Sequence, residues 1–177
     1  MQRRKQIRLK EYDYSQNGYY FVTICAKDRQ QLFGEIVGAD SLSARIVRKA
    51  FIETIEKYEY VNCPIYVIMP NHIHCIIAIE KDDTPKCENM ADGVRADNKS
   101  APTNINVSLA DIIREFKRRS TVEYINCVKQ NILPAFDKQI WQRGYYEHII
   151  RNEQEYQKIY EYIENNPLKW DEDQYYM

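Results

Sequence analysis

An α+β fold built on a central antiparallel sheet is the prediction, and three observations carry it. Strand-like and helix-like segments alternate along the chain instead of falling into separate blocks. The two central strand candidates, Tyr60–Met69 and His72–Glu80, are joined by a tight Pro70-Asn71 turn, which suits antiparallel neighbours. No glycine-rich turn follows the first strand, which counts against a doubly wound parallel sheet.

The elements follow in order. Gly18–Ala26 (GYYFVTICA) is dense in aromatic and β-branched residues and reads as the first strand. Gln31–Val37 is a candidate short edge strand. Ser43–Tyr58 sets Ile46, Val47, Ala50, Phe51, Thr54 and Ile55 at helical spacing, with Ser41 or Ser43 available as cap. After the central strand pair, Lys81–Val107 has few large apolar residues and many Asp, Asn, Lys, Pro and Thr. It is expected to be a flexible insertion or linker inside a single domain spanning residues 1–177. Ser108–Arg119 reads as a helix with Ser108 at the N-cap, Asp111 in the first turn, and Leu109, Ile112, Ile113 and Phe116 on one face. Thr121–Val128 extends or restarts it, and Asn131–Gln139 is a loop around Pro134. Ile140–Ile150 (IWQRGYYEHII) looks extended and is expected to be the fourth strand. Asn152 caps a last helix that runs to about Asn166, where Pro167 limits it. The resulting order is that of a split βαβ, ferredoxin-like sheet followed by a C-terminal helix.

Composition narrows the function classes. With 177 residues, 44% of them hydrophobic, the chain can bury one domain's core, so disordered and fibrous classes are excluded. Apolar runs such as Cys75–Ile79 are too short to span a bilayer, and Met1–Lys10 is basic but lacks a signal peptide's apolar stretch. A cytoplasmic protein with no membrane partner is expected. The five cysteines (Cys25, Cys63, Cys75, Cys87, Cys127) are scattered without a C-x-x-C, so neither a disulfide scaffold nor a zinc ribbon is expected. Lys+Arg 25 against Asp+Glu 26 gives a net charge of -1, so no global basic field advertises a nucleic-acid partner. The distribution is less even: Met1–Lys10 carries Arg3, Arg4, Lys5, Arg8 and Lys10 and no acid, whereas the tail beyond Arg151 is acidic.

The chemistry-bearing residues are few. Two of the three histidines, His72 and His74, are separated by Ile73; on a strand they share a face and can meet one metal ion. The plainer reading is two polar residues on a solvent face. Cys75 could add a thiolate for zinc, but alternation sends it to the other face. On the last helix, Tyr156, Ile159, Tyr160 and Ile163 form a core stripe, while Tyr162 lies outside it and shares a face with Asn166, four residues on. A phenol beside two imidazoles would allow metal-assisted nucleophilic attack on phosphorus, although most of the 15 tyrosines must serve packing. Arg114, Lys117, Arg118 and Arg119 cluster on one helix, and Arg143 adjoins the aromatic stretch Trp141–Tyr146, a combination that suits single-stranded nucleic acid or a plain solvated face. A non-catalytic nucleic-acid-binding module and a structural zinc protein are the competing classes.

Taken together, several segments resemble a known family. MPNHIHCII at Met69–Ile77 resembles the histidine–hydrophobic–histidine (HUH) motif of single-tyrosine transposases. WQRGYYEHIIRN at Trp141–Asn152 and YIENNPLKW at Tyr162–Trp170 resemble REP-associated tyrosine transposases, as do RLKEYDYSQNGYYFVTI at Arg8–Ile24 and LFGEI at Leu32–Ile36. The likeness covers nearly the whole chain outside Lys81–Asn106. It implies a ferredoxin-like core acting on single-stranded DNA, often at hairpin-forming repeats, as a monomer or homodimer. It implies a divalent ion, magnesium or manganese, held by His72, His74 and Asn166, with Tyr162 as nucleophile on the C-terminal helix. The implied reaction is nicking and strand transfer through a 5′-phosphotyrosine link and a free 3′-hydroxyl; a domesticated, non-catalytic DNA-binding copy is the alternative. The basic residues Arg114, Lys117, Arg118, Arg119 and Arg143, with Arg3, Arg4 and Lys5, are the expected DNA contacts.

Overall fold

The structure is a computed structural model that describes residues 9, 11–34, 41–81 and 106–176. Four strands, β1 (Gly18–Cys25), β2 (Val61–Met69), β3 (His72–Ile79) and β4 (Tyr146–Ile150), form one sheet in the order β2-β3-β1-β4. Every pairing in it is antiparallel. Helices α1 (Leu42–Ile55) and α2 (Leu109–Lys129) connect the strands, and α3 (Glu153–Asn165) follows β4. This is the ferredoxin-like arrangement expected: β1 and β2 run parallel with β3 inserted between them.

Local chemistry explains the helix starts. The Ser41 hydroxyl accepts from Ala44 N at 3.1 Å. Ser108 and Asp111 form a reciprocal capping box at the head of α2. Asn152 Oδ1 accepts from Glu155 N at 2.9 Å and begins α3. Thr121–Val128 continues α2 without a break. Pro64 sits where the β2–β3 register slips between Asn62 and Ile65, a place an edge strand tolerates because no ladder N–H is needed.

The core lies between one face of the sheet and α1 with α2. Val47, Ala50 and Phe51 from α1 and Ile112, Ile113 and Phe116 from α2 meet Val22, Ile24, Ile73, Cys75 and Ile77. The opposite face carries a smaller cluster in which Ile76, Ile150 and Ile163 are buried and Tyr156, Ile159 and Tyr160 pack against them. The stripe expected on α3 is therefore a packing stripe.

Two expectations need correction. Gln31–Gly34 does not form a strand, and the rest of that proposed edge strand, residues 35–37, lies outside the described residues. The fourth strand is confined to Tyr146–Ile150; Ile140–Tyr145 is irregular, with one bridge between Trp141 and Ala26. The reason is local: Lys117 Nζ donates to the carbonyls of Gln142 and Gly144 at 2.8 Å each, and the Trp141 indole N–H donates to Ser120 Oγ at 2.9 Å. These bonds tie the segment to α2, while Gln142 N donating to Cys25 O at 3.0 Å keeps its start at the end of β1. Of the expected linker, residues 82–105 lie outside the described residues, while Val107 at its end is buried in the main core. No helix among the described residues is long and apolar enough to cross a membrane.

Candidate active site

The two histidines of β3 share one face, as strand alternation requires, and that face is the one under α3. Neither is exposed, and their rings lie 4.4 Å apart. Ile73 and Cys75 point into the main core, so Cys75 takes no part in a zinc site with the pair. Each imidazole is fixed by a neighbour: His72 Nδ1 meets Asn71 Oδ1, and His74 Nδ1 meets Thr23 Oγ1, both at 2.8 Å.

The Asn71 contact decides a tautomer. Asn71 Nδ2 donates to the carbonyls of Tyr175 at 2.8 Å and Arg29 at 3.2 Å, so its oxygen faces His72 and Nδ1 there carries the proton. The lone pair of His72 is thus on Nε2, which is buried with no hydrogen-bond partner among the described residues. Burial, and then the adjacent His74, pushes the His72 imidazole down to about 3, so it is neutral and able to ligate. Burial also lowers His74, against the pull of the Asp173 carboxylate.

Helix α3 brings Tyr162 to this pair. Its hydroxyl lies 3.2 Å from His74 Nε2 and 3.4 Å from Asp173 Oδ2. Phe21 supports both groups, stacking on His74 at 5.5 Å and meeting the Tyr162 ring edge-on at 6.0 Å. Burial, followed by the charge of Asp173, raises the phenol above its ordinary range, so it is protonated at neutral pH. At 41% exposure it still opens to solvent. Tyr156, the rival on the same helix, instead packs edge-on against Tyr19 at 5.5 Å.

Asn166 closes α3 one turn beyond Tyr162 and is buried. Its Nδ2 donates to Asp173 Oδ2 at 2.6 Å, and its Oδ1 has no partner among the described residues. Asp173 was not singled out from the sequence. It follows the 3-10 turn Asn166–Glu172, and its carboxylate is enclosed. Burial alone would raise its pKa. The contact with His74, the Asn166 amide and the Tyr175 N–H outweigh burial and hold it below the usual carboxylate range. His72, His74 and Asp173 each present a ligand atom within 4.8 Å of the others, a cluster that could hold a metal ion. Tyr175 covers the pair, its ring 4.7 Å from His72 and 5.7 Å from His74.

No family model matches the chain. A Haemophilus influenzae protein described as uncharacterized is 38% identical over 177 residues, covering 98% of this chain and 93% of its own. A second H. influenzae protein, described as a "Putative REP-associated tyrosine transposase", is 26% identical over 157 residues, covering 89% of this chain and 74% of its own. A solved REP-associated tyrosine transposase bound to a REP hairpin shares the fold with a TM-score of 0.58 at 22% identity, covering 92% of this chain and 73% of that one. The chain resembles the REP-associated tyrosine transposases in sequence and shares their fold.

The resemblance makes the placement of the basic residues informative. Arg114, Arg118 and Arg119 lie on α2, across the sheet from the histidines. Arg114 pairs with Asp111 at 2.7 Å; Arg118 and Arg119 pair with Glu115 at 2.9 Å, and Arg119 also with Glu53 at 3.3 Å. Lys117 braces the segment before β4, and Arg143 projects from that segment, exposed. Arg3, Arg4 and Lys5 lie outside the described residues. His148, the third histidine, meets Glu155 at 2.6 Å and joins β4 to the head of α3.

Proposed function

We propose that this protein is a transposase that nicks and rejoins single-stranded DNA, with Tyr162 as nucleophile and a divalent ion held by His72, His74 and Asn166. The observation that carries the reading is the convergence of the Tyr162 hydroxyl on the buried imidazole pair, 3.2 Å from His74 Nε2. The donor set fits a divalent ion. His72 Nε2 and Asn166 Oδ1 are both buried and unpartnered among the described residues, and Asp173 adds an enclosed carboxylate within reach. Magnesium or manganese suits it; two imidazoles favour manganese on ligand softness. Bound there, such an ion would polarise the scissile phosphate.

The chain's own residues do the rest. The Tyr162 oxygen attacks phosphorus, a P–O bond to the phenol forms, and the P–O3′ bond breaks. The products are a 5′-phosphotyrosine and a 3′-hydroxyl, the 3′ oxygen gaining a proton as the phenol loses one. Reversal by a 3′-hydroxyl rejoins the strand and needs no outside energy source. Asp173 Oδ2, 3.4 Å from the phenol, accepts its hydrogen bond and orients it. Phe21 and Thr23 keep the imidazole and the phenol in register. A hairpin-forming repeat is the proposed substrate, in keeping with the hairpin-bound relative. Arg143 makes phosphate contacts on the site side, with Lys117 holding its segment. Arg114, Arg118 and Arg119, across the sheet, are assigned to more distant backbone contacts; Arg3, Arg4 and Lys5 are proposed as further DNA contacts.

Covalent trapping tests this. End-labelled hairpin DNAs incubated with the protein and manganese should give an adduct on a denaturing gel, carrying the DNA on its 5′-phosphate side. Tyr162→Phe and the His72→Ala/His74→Ala double variant should lose it, and Tyr156→Phe should keep it. An adduct that survives in Tyr162→Phe removes Tyr162 from the mechanism. Binding without any adduct would favour a domesticated DNA-binding copy.

A further inference from the structure

Three ligand atoms stand at the corners of a nearly regular triangle. The Tyr162 hydroxyl is 3.2 Å from His74 Nε2 and 3.4 Å from Asp173 Oδ2, and those two atoms are 3.8 Å apart. Zinc takes nitrogen and oxygen ligands at about 2.0–2.2 Å in a tetrahedron, which sets its ligand atoms roughly 3.3–3.6 Å from one another. Each side of the triangle lies within about 0.2 Å of that range, so the three atoms already outline one face of a zinc tetrahedron.

His72 supplies the fourth corner. Its ligand atom lies within 4.8 Å of those of His74 and Asp173. Its lone pair is on Nε2, which is buried and has no partner among the described residues, and a bound cation would satisfy it. All four groups are held from behind. Asn71 fixes His72 and Thr23 fixes His74, both at 2.8 Å. The Asn166 amide and the Tyr175 N–H hold the two Asp173 oxygens at 2.6 and 2.7 Å. Phe21 sets the Tyr162 ring. Such outer contacts orient the ligands of a metal centre.

This set differs from the catalytic one, in which Asn166 joins the histidines and Tyr162 is not a ligand. Magnesium or manganese in six-coordinate geometry keeps positions open for a phosphate. Four protein ligands instead fill a tetrahedral ion completely, as in structural zinc sites. We propose that zinc binds His72, His74, Asp173 and Tyr162 in a closed site that withholds Tyr162 from DNA. As the phenol oxygen bonds to zinc its O–H bond breaks and the proton passes to solvent; no electron moves. The consequence for DNA rests on the reading of Tyr162 as nucleophile, whereas the zinc site itself stands on the four side chains. Because both ions need the two imidazoles, zinc and manganese compete.

The test titrates the full chain, stripped of metal, with cobalt(II), whose visible bands are intense in tetrahedral sites and faint in octahedral ones. Wild type should give the intense bands, and stoichiometric zinc should erase them. Tyr162→Phe should weaken zinc binding by about tenfold or more and dim the cobalt bands, while leaving manganese binding unchanged. Tyr156→Phe should match wild type throughout. Ultraviolet difference spectra should show a tyrosinate signal on zinc binding in wild type and none in Tyr162→Phe. Faint cobalt bands in wild type, or zinc affinity unaltered in Tyr162→Phe, would overturn the site. Zinc added to the manganese reaction should suppress the covalent adduct, and an adduct undiminished with zinc bound would overturn the withholding of Tyr162. Intense cobalt bands lost in Tyr162→Phe, with no adduct under any condition, would uphold the zinc site and sink the strand-transfer reading.

Discussion

Asn71 and His72 are neighbours in sequence and partners in space: His72 Nδ1–H donates to Asn71 Oδ1 at 2.8 Å. The bond has one direction because two carbonyls occupy the Asn71 amide nitrogen. Asn71 is thus a positioning residue that turns the His72 lone pair toward the site. Asn71→Ala should weaken manganese binding roughly 10–100-fold by calorimetry. It should also cost about 1–3 kcal/mol of stability, since Asn71 is fully buried and two backbone carbonyls and an imidazole N–H lose their partner. Unaltered metal affinity would show that Asn71 serves the fold alone.

The oxygen ligands can be told apart. Asn166 Oδ1 is the unpartnered buried acceptor, and Asp173 is the carboxylate grouped with the histidines. Asn166→Ala and Asp173→Ala should each reduce manganese affinity, by about tenfold or more. Only Asp173→Ala should also lower the Tyr162 pKa, because the Asp173 charge is one of the causes that raise it. Tyrosinate absorbance followed against pH, compared with Tyr162→Phe backgrounds, reads that shift.

Acid sensitivity follows from Glu115. Its hydrogen bond from Arg118, with further help from Arg119 and Lys57, lowers its carboxyl to about 2. A depressed native pKa stabilises the fold fully above the ordinary value of 4.5, and that contribution is lost as pH falls toward 2. Glu115→Gln should therefore lower stability by roughly 1 kcal/mol at neutral pH after solvent screening, and flatten the stability profile between pH 4.5 and 2. Denaturant titrations at stepped pH measure it, and an unchanged slope in that window would refute the assignment.

The Asn152 cap should couple to activity. Asn152→Ala removes the acceptor for Glu155 N and should cost about 1 kcal/mol, fraying the first turn of α3. Tyr162 lies on the same helix, so adduct formation should slow more than oligonucleotide binding weakens. Asn152→Ser, which can still cap, should restore both.

Much of this protein is legible along the chain. Strand alternation alone puts His72 and His74 on one face, and helical spacing alone separates Tyr162 from the Tyr156–Ile159–Tyr160–Ile163 stripe while aligning it with Asn166. Caps at Ser108 and Asn152 are local contacts, so they too can be read from neighbouring residues. These features depend on interactions within about four residues, where covalent geometry dictates what meets what. The tertiary structure decided what lies beyond that range. Asp173 joins histidines some hundred residues earlier in the chain, and no periodicity links them. Trp141 and Lys117 tie Ile140–Tyr145 to α2, interrupting the strand its extended pattern suggests. On α2, whose cations look like a DNA patch in sequence, Arg118 and Arg119 meet Glu115, Arg119 also meets Glu53, and Arg114 meets Asp111, across the sheet from the site. Whether a charge is free or spent depends on which partner the folded chain delivers, and only packing determines that.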